Sequence, residues 1–104
     1  MNINVTHEDD CCMIKLDGFL DTSSSPDLQK KVEEIASEKF DKGGANIVFD
    51  LANVNFVSSA GLRVLLLSKK MIDRQNGKMA VINVQQSIRE VLDMTGFSKI
   101  LNLK

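Results

Sequence analysis

The feature that most constrains the fold is an apolar run in the middle of the chain, residues 45–51, which leads into a long helical pattern. Apolar residues that do not alternate with polar ones are typical of a strand covered on both faces of a sheet. The helical pattern extends from about Ser59 to Gln75, and its small and apolar residues form one stripe suited to close packing on a sheet. The stripe consists of Gly61, Val64, Leu65, Ser68 and Ile72. We therefore predict a central strand followed by a helix, as in an α/β domain.

The beginning of the chain predicts a hairpin. Apolar and polar residues alternate over 2–6 and again over 12–17, which indicates two half-buried strands. His7–Asp10 supplies a polar turn between them, and Gly18 is predicted to end the second strand. A turn of about four residues is too short for a parallel crossover, so the two strands are predicted to be antiparallel.

A first helix is predicted after this hairpin. Ser25 is its predicted N-cap, and Pro26 occupies the first helical position, where a missing N–H is tolerated. Apolar residues then recur at helical spacing on one face, namely Leu28, Val32, Ile35, Ala36 and Phe40. Gly43 or Gly44 is predicted to end the helix, because glycine readily adopts the left-handed conformation found after helix C-termini.

The last third of the chain repeats the alternation of strand and helix. Residues 79–84 are predicted to form a strand, and a final helix is predicted to begin at Gln85 and to end at Gly96. The apolar face of this helix is predicted to consist of Ile88, Val91, Leu92 and Thr95. Residues 100–103 are predicted either to add a short strand or to tie down the tail.

The predicted order of elements is β-β-α-β-α-β-α. Right-handed crossovers in the second half imply parallel pairing, whereas the first hairpin adds an antiparallel edge. We therefore predict a single α/β domain over residues 1–104. Its sheet is mixed and mostly parallel, with about four to five strands and about three to four helices packed on it.

Composition argues against several classes of partner. The formal net charge is −1, so no overall field attracts the chain to nucleic acid or to an anionic membrane. The sequence has no Trp or Tyr, residues that commonly stack on single-stranded bases. No apolar run is long enough to cross a bilayer, and the N-terminus lacks the apolar segment of a signal peptide. We therefore expect a cytoplasmic protein with no membrane insertion and no nucleic-acid partner.

The sequence lacks the residue patterns that catalysis and metal binding require. His7 is the single histidine and lies in a polar turn, which disfavours both a Ser-His-acid triad and a metal site. A glycine-rich phosphate loop with a lysine is also missing. Cys11 and Cys12 are adjacent, a spacing that suits neither a zinc site nor a redox pair, and one of them is expected in the core. We expect no catalytic residue, no metal and no cofactor.

Two adjacent serines stand where the central strand leads into the long helix, after Val54 and Phe56, which are predicted to point to the same side. Ser58 and Ser59 fall at the helix N-terminus, where free N–H groups and the helix dipole favour oxygen ligands and negative charge. Two interpretations are open: Ser58 is only an N-cap, or one of the serines is presented there for phosphorylation. The carboxyl ends of parallel strands are where ligands and partners usually meet such a sheet, and Asp21 is expected on the same edge.

Four segments, taken in order, follow a known pattern. Gly18-Phe19-Leu20-Asp21 has the form Gly-x-Leu-Asp, and residues 47–56 form a central strand that leads to a loop. Ser58-Ser59-Ala60-Gly61-Leu62 follows the form Asp-Ser-small-Gly-Leu, with serine in place of the aspartate. Thr95-Gly96-Phe97 resembles a Thr-Gly-Leu helix end. Together these segments resemble the STAS domain of bacterial anti-sigma factor antagonists of the sporulation and general-stress type, and the third segment is the most specific.

The resemblance implies regulation by partner switching. In that family, the unphosphorylated antagonist binds an anti-sigma factor that is also a serine kinase, which frees a sigma factor; phosphorylation causes release, and a serine phosphatase resets the cycle. Alignment on Gly61-Leu62 places the phosphorylated serine at Ser59, with Ser58 as the second choice. The partner-binding residues that the resemblance implies are Asp21, Thr22, Ser58, Ser59, Gly61, Leu62 and Arg63.

Arg63 departs from the sporulation members of the family, which usually carry a glycine there. It follows Ser59 by four residues and so lies on the same helical face. It either pairs with a phosphoserine at Ser59 or is an ordinary solvated arginine. Other functions also stay open: a STAS subunit of a transporter or of a stress-signalling scaffold, or a nucleotide-binding module. Both a monomer and a weak dimer are compatible with the sequence.

Overall fold

The structure is a computed structural model that describes residues 1–8, 11–37 and 46–104. These residues form four strands and four helices. In chain order they are β1 (Asn2–Glu8), β2 (Cys11–Leu20), α1 (Ser25–Ser37), β3 (Asn46–Val57), α2 (Ser59–Arg74), β4 (Lys78–Ile82), α3 (Gln86–Thr95) and α4 (Phe97–Ile100). The predicted order of elements is confirmed, and the short α4 follows it.

The strands form one mixed sheet in the order β1-β2-β3-β4. β1 is antiparallel to β2, whereas β2 with β3 and β3 with β4 are parallel, which confirms the predicted mixed sheet with an antiparallel N-terminal edge. The tail lies along β4 through an isolated parallel bridge between Leu103 and Val81. The Lys104 N–H also donates to the Val81 carbonyl oxygen at 2.9 Å. The tail is thus tied down by a bridge and does not extend the sheet by a full strand.

β3 buries only one of its two faces. Ile47, Phe49 and Leu51 are buried, whereas the intervening Val48 and Asp50 are half-buried. Both crossovers between parallel strands have the same hand, so α1 and α2 lie on the same face of the sheet, where they pack against each other. The expectation that this strand is covered on both faces was therefore wrong.

Both strands of the N-terminal hairpin are longer than predicted. β1 includes His7 and Glu8, and the remaining positions of the predicted turn, 9 and 10, lie outside the described residues. β2 continues past Gly18 to Leu20. Gly18 has a φ of +118°, and the pairing with β3 shifts register directly after it. The glycine therefore interrupts the pleat without ending the strand, because β3 continues alongside.

α1 begins at Ser25, but Ser25 does not act as its N-cap. The Ser25 hydroxyl group donates backwards to the Asp21 carbonyl oxygen, which also accepts the Ser25 N–H at 2.8 Å. The predicted apolar face is confirmed where it is described, with Leu28, Val32, Ile35 and Ala36 buried. The predictions on Phe40, Gly43 and Gly44 concern positions outside the described residues.

α3 ends at Thr95, and Gly96 is its C-cap with a left-handed φ of 80°, which confirms the predicted glycine at the end of this helix. Its buried face is narrower than predicted: Ile88 and Leu92 are buried, but Val91 is 58% exposed and Thr95 is exposed as well. The reason lies in the sheet, because β4 stops at Ile82 while β3 continues to Val57. α3 packs beside this extension of β3, which leaves one side of the helix uncovered.

Candidate functional site

Ser58 is held in place at the N-terminus of α2. Its N–H donates to the Leu20 carbonyl oxygen at 2.9 Å, which joins the end of β2 to the start of α2. Its Oγ accepts the Gly61 N–H at 3.2 Å, and its carbonyl oxygen accepts the Leu62 N–H at 2.9 Å. Ser58 is therefore the N-cap of α2, and its hydroxyl oxygen already has a structural partner.

Gly61 allows α2 to approach the end of β2 closely. A Cβ atom at this position would lie 2.6 Å from the Leu20 carbonyl oxygen and 2.7 Å from Leu20 Cγ. Contacts this short are sterically forbidden, so any larger residue would push α2 away from β2. The glycine of the Ser-Ala-Gly-Leu segment thus has a packing role, and it fixes where Ser58 and Ser59 stand relative to β2.

Ser59 is the first residue of α2, and its surroundings differ from those of Ser58. Its side chain is exposed, whereas Ser58 is half-buried. Within the part of the chain that the structure describes, no hydrogen bond engages the Ser59 hydroxyl group. The Ser59 hydroxyl group is therefore accessible to solvent, whereas the Ser58 hydroxyl group caps α2.

Asp21 organises the turn between β2 and α1. Its Oδ1 accepts the N–H groups of Ser23 and Ser24, each at 3.1 Å, and their hydroxyl groups at 2.9 and 3.1 Å. These hydrogen bonds lower the pKa of the Asp21 carboxyl group from its ordinary value, and the one from the Ser23 hydroxyl group has the largest effect. The carboxylate is thus engaged within its own turn, directly before the start of α1.

A cavity of about 290 Å³, here called the polar pocket, lies between the first turns of α1 and α2. It is lined by Thr22, Ser25, Pro26, Gln29, Ser59, Ala60, Arg63 and Val64. Arg63 is the charged residue of this lining, and it forms no ion pair within residues 1–8, 11–37 and 46–104. Three of the predicted site residues, Thr22, Ser59 and Arg63, therefore come together in one cavity.

A second cavity of about 430 Å³, here called the apolar groove, lies between the end of β3, α2 and α3. Its apolar lining consists of Phe56, Val57, Leu62, Ile88, Val91 and Leu92, and its polar lining consists of Asn55, Ser58, Ser59 and Ser87. Ser59 lines both cavities, whereas Ser58 lines the apolar groove but not the polar pocket. Of the other predicted residues, Leu62 lines the groove, and Asp21 and Gly61 line neither cavity.

Two exposed phenylalanines, which are not among the site residues predicted from the sequence, lie at the carboxyl ends of β2 and β3. Phe19 and Phe56 are 55% and 50% exposed, and their rings meet edge to face with centroids 6.2 Å apart. The expectation that Val54 and Phe56 point to the same side was wrong, because Asn55 is an extra residue that the register with β2 skips. One signal in the sequence could have identified Phe19. Adjacent side chains of a strand point to opposite faces, so if the apolar Leu20 points to the core, Phe19 points outward.

The remaining reactive side chains lie away from these cavities. Cys12 is buried, which confirms that one cysteine joins the core, and its Sγ lies 3.2 Å from His7 Nδ1. Burial raises the pKa of the Cys11 thiol. Among the described residues, no cluster of three or more His, Cys, Asp or Glu side chains could hold a metal ion. None of the described helices is both long enough and apolar enough to span a bilayer.

Comparison with known proteins gives a consistent result. Residues 2–104 match the family model of the STAS domain. The anti-sigma F factor antagonist of Paenibacillus polymyxa is 31% identical over 101 residues, which cover 97% of this chain and 84% of that protein.

Two solved structures share the fold. An anti-sigma factor antagonist from Mycobacterium paratuberculosis superposes with a TM-score of 0.82 at 21% identity, covering 98% of this chain and 83% of that one. The Bacillus cell fate determinant SpoIIAA in its phosphorylated form superposes with a TM-score of 0.75 at 17% identity, covering 99% and 91%. Because the family model matches nearly the whole chain and the folds agree, this chain belongs to the STAS domain family.

Proposed function

We propose that this chain is an anti-sigma factor antagonist that works by phosphorylation-controlled partner switching. Its unphosphorylated form binds an anti-sigma factor that is also a serine kinase, and a sigma factor is thereby freed. Phosphorylation of Ser59 ends this binding, and a serine phosphatase restores the hydroxyl group. The chain is thus a substrate and a binding partner and not itself a catalyst, and it works in the cytoplasm with the kinase. The names of its relatives support the antagonist role.

The observation that carries the proposal is the contrast between the two serine hydroxyl groups. Ser58 Oγ accepts the Gly61 N–H, whereas the Ser59 hydroxyl group is exposed and has no hydrogen bond among the described residues. In the transfer, Ser59 Oγ attacks the γ-phosphorus of ATP, the bond from that phosphorus to ADP breaks, and the hydroxyl proton passes to a base on the kinase. The same reaction on Ser58 would require its Oγ to lose the hydrogen bond from the Gly61 N–H that caps α2.

The proposed partner surface consists of the polar pocket, the apolar groove and Ser59 between them. The exposed apolar residues of the groove support its place in this surface, since Phe56 and Val91 are each at least half exposed. Exposed apolar side chains that gather around a cleft are typical of protein contact sites. A partner that covers this cleft would bring its own surface against the Ser59 hydroxyl group.

Phosphate can end such a contact without refolding the antagonist. A phosphoserine carries about −1.5 to −2 charges near neutral pH. A helix N-terminus tolerates that charge, whereas an interface built around a hydroxyl group would have to bury it, at a cost of several kcal/mol. Each 1.4 kcal/mol lowers affinity about tenfold, so this cost is sufficient for release.

The experiment that tests the switch is phosphorylation of the purified chain by its kinase. After incubation with the anti-sigma factor kinase and ATP, we expect mass spectrometry to find one phosphate, on Ser59. The Ser58→Ala variant should still be phosphorylated, and the Ser59→Ala variant should not. Phosphate on Ser58, or persistent phosphorylation of Ser59→Ala, would contradict the assignment. Affinity capture should retrieve a small ATP-binding kinase; an ATPase transporter, or tight binding of ATP to the isolated chain, would favour the other functions.

A further inference from the structure

We propose that Arg63 retains the phosphate of phospho-Ser59 at the polar pocket, so that the phosphorylated chain supplies its own counterion. The inference deepens the proposed function and rests on it in one respect, the phosphate on Ser59. In the phosphorylated chain, phospho-Ser59 and Arg63 then form an ordered ion pair within α2. This pair stabilises the phosphorylated chain after it has been released from its partner.

The first support is the position of Arg63 on α2. It follows Ser59 by four residues, and side chains at this spacing are neighbours on one helical face, with Cβ atoms about 5–6 Å apart. Both residues line the polar pocket, so their side chains meet the same cavity. A guanidinium group can bind two phosphate oxygens at once through a planar fork of parallel N–H groups, whereas a lysine ammonium group acts as a point charge.

The second support is the charge around the pocket. The residues that α1 and its preceding turn contribute are uncharged, and among them Thr22 and Gln29 carry groups that can donate hydrogen bonds to phosphate oxygens. The nearby acidic residues Asp21 and Asp27 do not line the cavity. Asp21 directs its Oδ1 to Ser23 and Ser24. Arg63 therefore faces no carboxylate within the described part of the chain that would compete with a phosphate.

The third support is the difference between the two cavities at Ser59. A phosphate on Ser58 would meet the apolar groove, whose lining contains neutral donors such as Asn55 and Ser87 but no cationic side chain. A phosphate on Ser59 has the polar pocket open to it, because Ser59 lines both cavities. Occupation of the pocket by phosphate and guanidinium would also remove Arg63 from the surface proposed to meet the partner.

The test is a ³¹P NMR titration of the chain with phosphoserine installed at position 59 during translation, which needs no kinase. A neighbouring guanidinium favours the dianion and so lowers the second pKa of the phosphate. We expect the titration midpoint of Arg63→Gln to lie about half a pH unit above that of the unsubstituted chain, the size typical of an exposed pair. Arg63→Lys should fall between the two. The difference should shrink in about 1 M salt, where the screening length is about 3 Å.

Arg74→Gln is the matched control, since Arg74 is an exposed arginine in the last turn of the same helix. Its midpoint should equal that of the unsubstituted chain. Equal midpoints for Arg63→Gln and the unsubstituted chain, or an equal shift in Arg74→Gln, would overturn the proposal. A second measurement needs no substitution at position 63: the Arg63 Nε–H resonance should move when phosphoserine replaces Ser59, and its constancy would also count against the pair. An anti-sigma factor that bound both forms equally would contradict the proposed function and leave this result unaffected.

Discussion

Ser58 and Ser59 are adjacent in the chain, yet their hydroxyl groups have different surroundings. Ser58 Oγ accepts the Gly61 N–H, whereas the Ser59 side chain is exposed. This follows from helix geometry, because an N-cap side chain reaches the free N–H groups of the first turn and the next side chain does not. The sequence predicted a serine cap, but the choice between the two serines rested on the alignment of a motif. Helix boundaries predicted from sequence are uncertain by a residue or two, and here a shift of one residue would exchange the cap and the proposed phosphate acceptor.

We expect Ser58→Ala to lower the free energy of unfolding by about 1 kcal/mol, because the cap of α2 is lost. Ser58→Asp should restore most of it, since a carboxylate accepts the same N–H and suits the helix N-terminus. Urea unfolding measures both. Ser59→Ala is the control, and its effect should stay within about 0.5 kcal/mol. A cost for Ser59→Ala as large as that for Ser58→Ala would contradict the distinction drawn between the two residues.

The Asp21 turn should make stability depend on pH in a defined direction. The pKa of Asp21 is lowered in the folded chain by the Ser23 and Ser24 hydrogen bonds, so its ionised form stabilises the fold above the unfolded-state pKa of about 3.9. This contribution is lost as the pH falls through the lower folded-state pKa. Urea unfolding of the unsubstituted chain and of Asp21→Asn should therefore differ most above about pH 5 and converge in stronger acid. A difference that stays constant down to about pH 2.5 would contradict this origin.

At the scale of elements, the contact between β2 and α2 fixes the site. Gly61→Ala places a methyl group only 2.6 Å from the Leu20 carbonyl oxygen, so we expect a loss of about 1 to 3 kcal/mol in the free energy of unfolding. At an open helix position the same change would stabilise by about 1 kcal/mol. The sign measured in thermal or urea unfolding is therefore diagnostic, and a more stable Gly61→Ala variant would show that α2 does not approach β2 so closely.

The uncovered side of α3 belongs, in our proposal, to the partner surface. Val91→Asp should weaken binding of the anti-sigma factor by at least about tenfold, because a charge would enter the apolar groove. Its effect on stability should be small, since Val91 is already 58% exposed. Ile100→Asp is the matched control, an aliphatic residue 49% exposed on α4 that does not line the groove. Titration calorimetry with the anti-sigma factor would contradict the proposal if both variants bound as the unsubstituted chain does.

The elements themselves were predictable, and the details that shape the groove were not. Hydrophobic periodicity predicted the helices and strands because each element buries one face. It put Val91 on the same apolar face as Ile88 and Leu92, because helical periodicity does not show how far the sheet extends beneath a helix. It predicted that Phe56 points to the same side as Val54. This was wrong because of the extra residue Asn55, which depends on the pairing with β2, a strand distant in sequence.

At the scale of the whole molecule, the proposed site occupies one edge of the sheet. The order of strands and helices predicted that the Asp21 turn and the Ser58–Ser59 turn share this edge, and the hydrogen bond from the Ser58 N–H to the Leu20 carbonyl oxygen joins them. The two cavities were not predictable, because they depend on the spacing of α1, α2 and α3. The single covered face of the sheet was missed for a similar reason, since both crossovers place their helices on one side.

The central claim is that phosphate on Ser59 ends the binding of an anti-sigma factor. The most direct test is titration calorimetry of that factor with the unmodified chain and with the chain that carries phosphoserine at position 59. We expect the modified chain to bind at least about 100-fold more weakly, which corresponds to about 2.7 kcal/mol. Equal affinities for the two forms would contradict the claim.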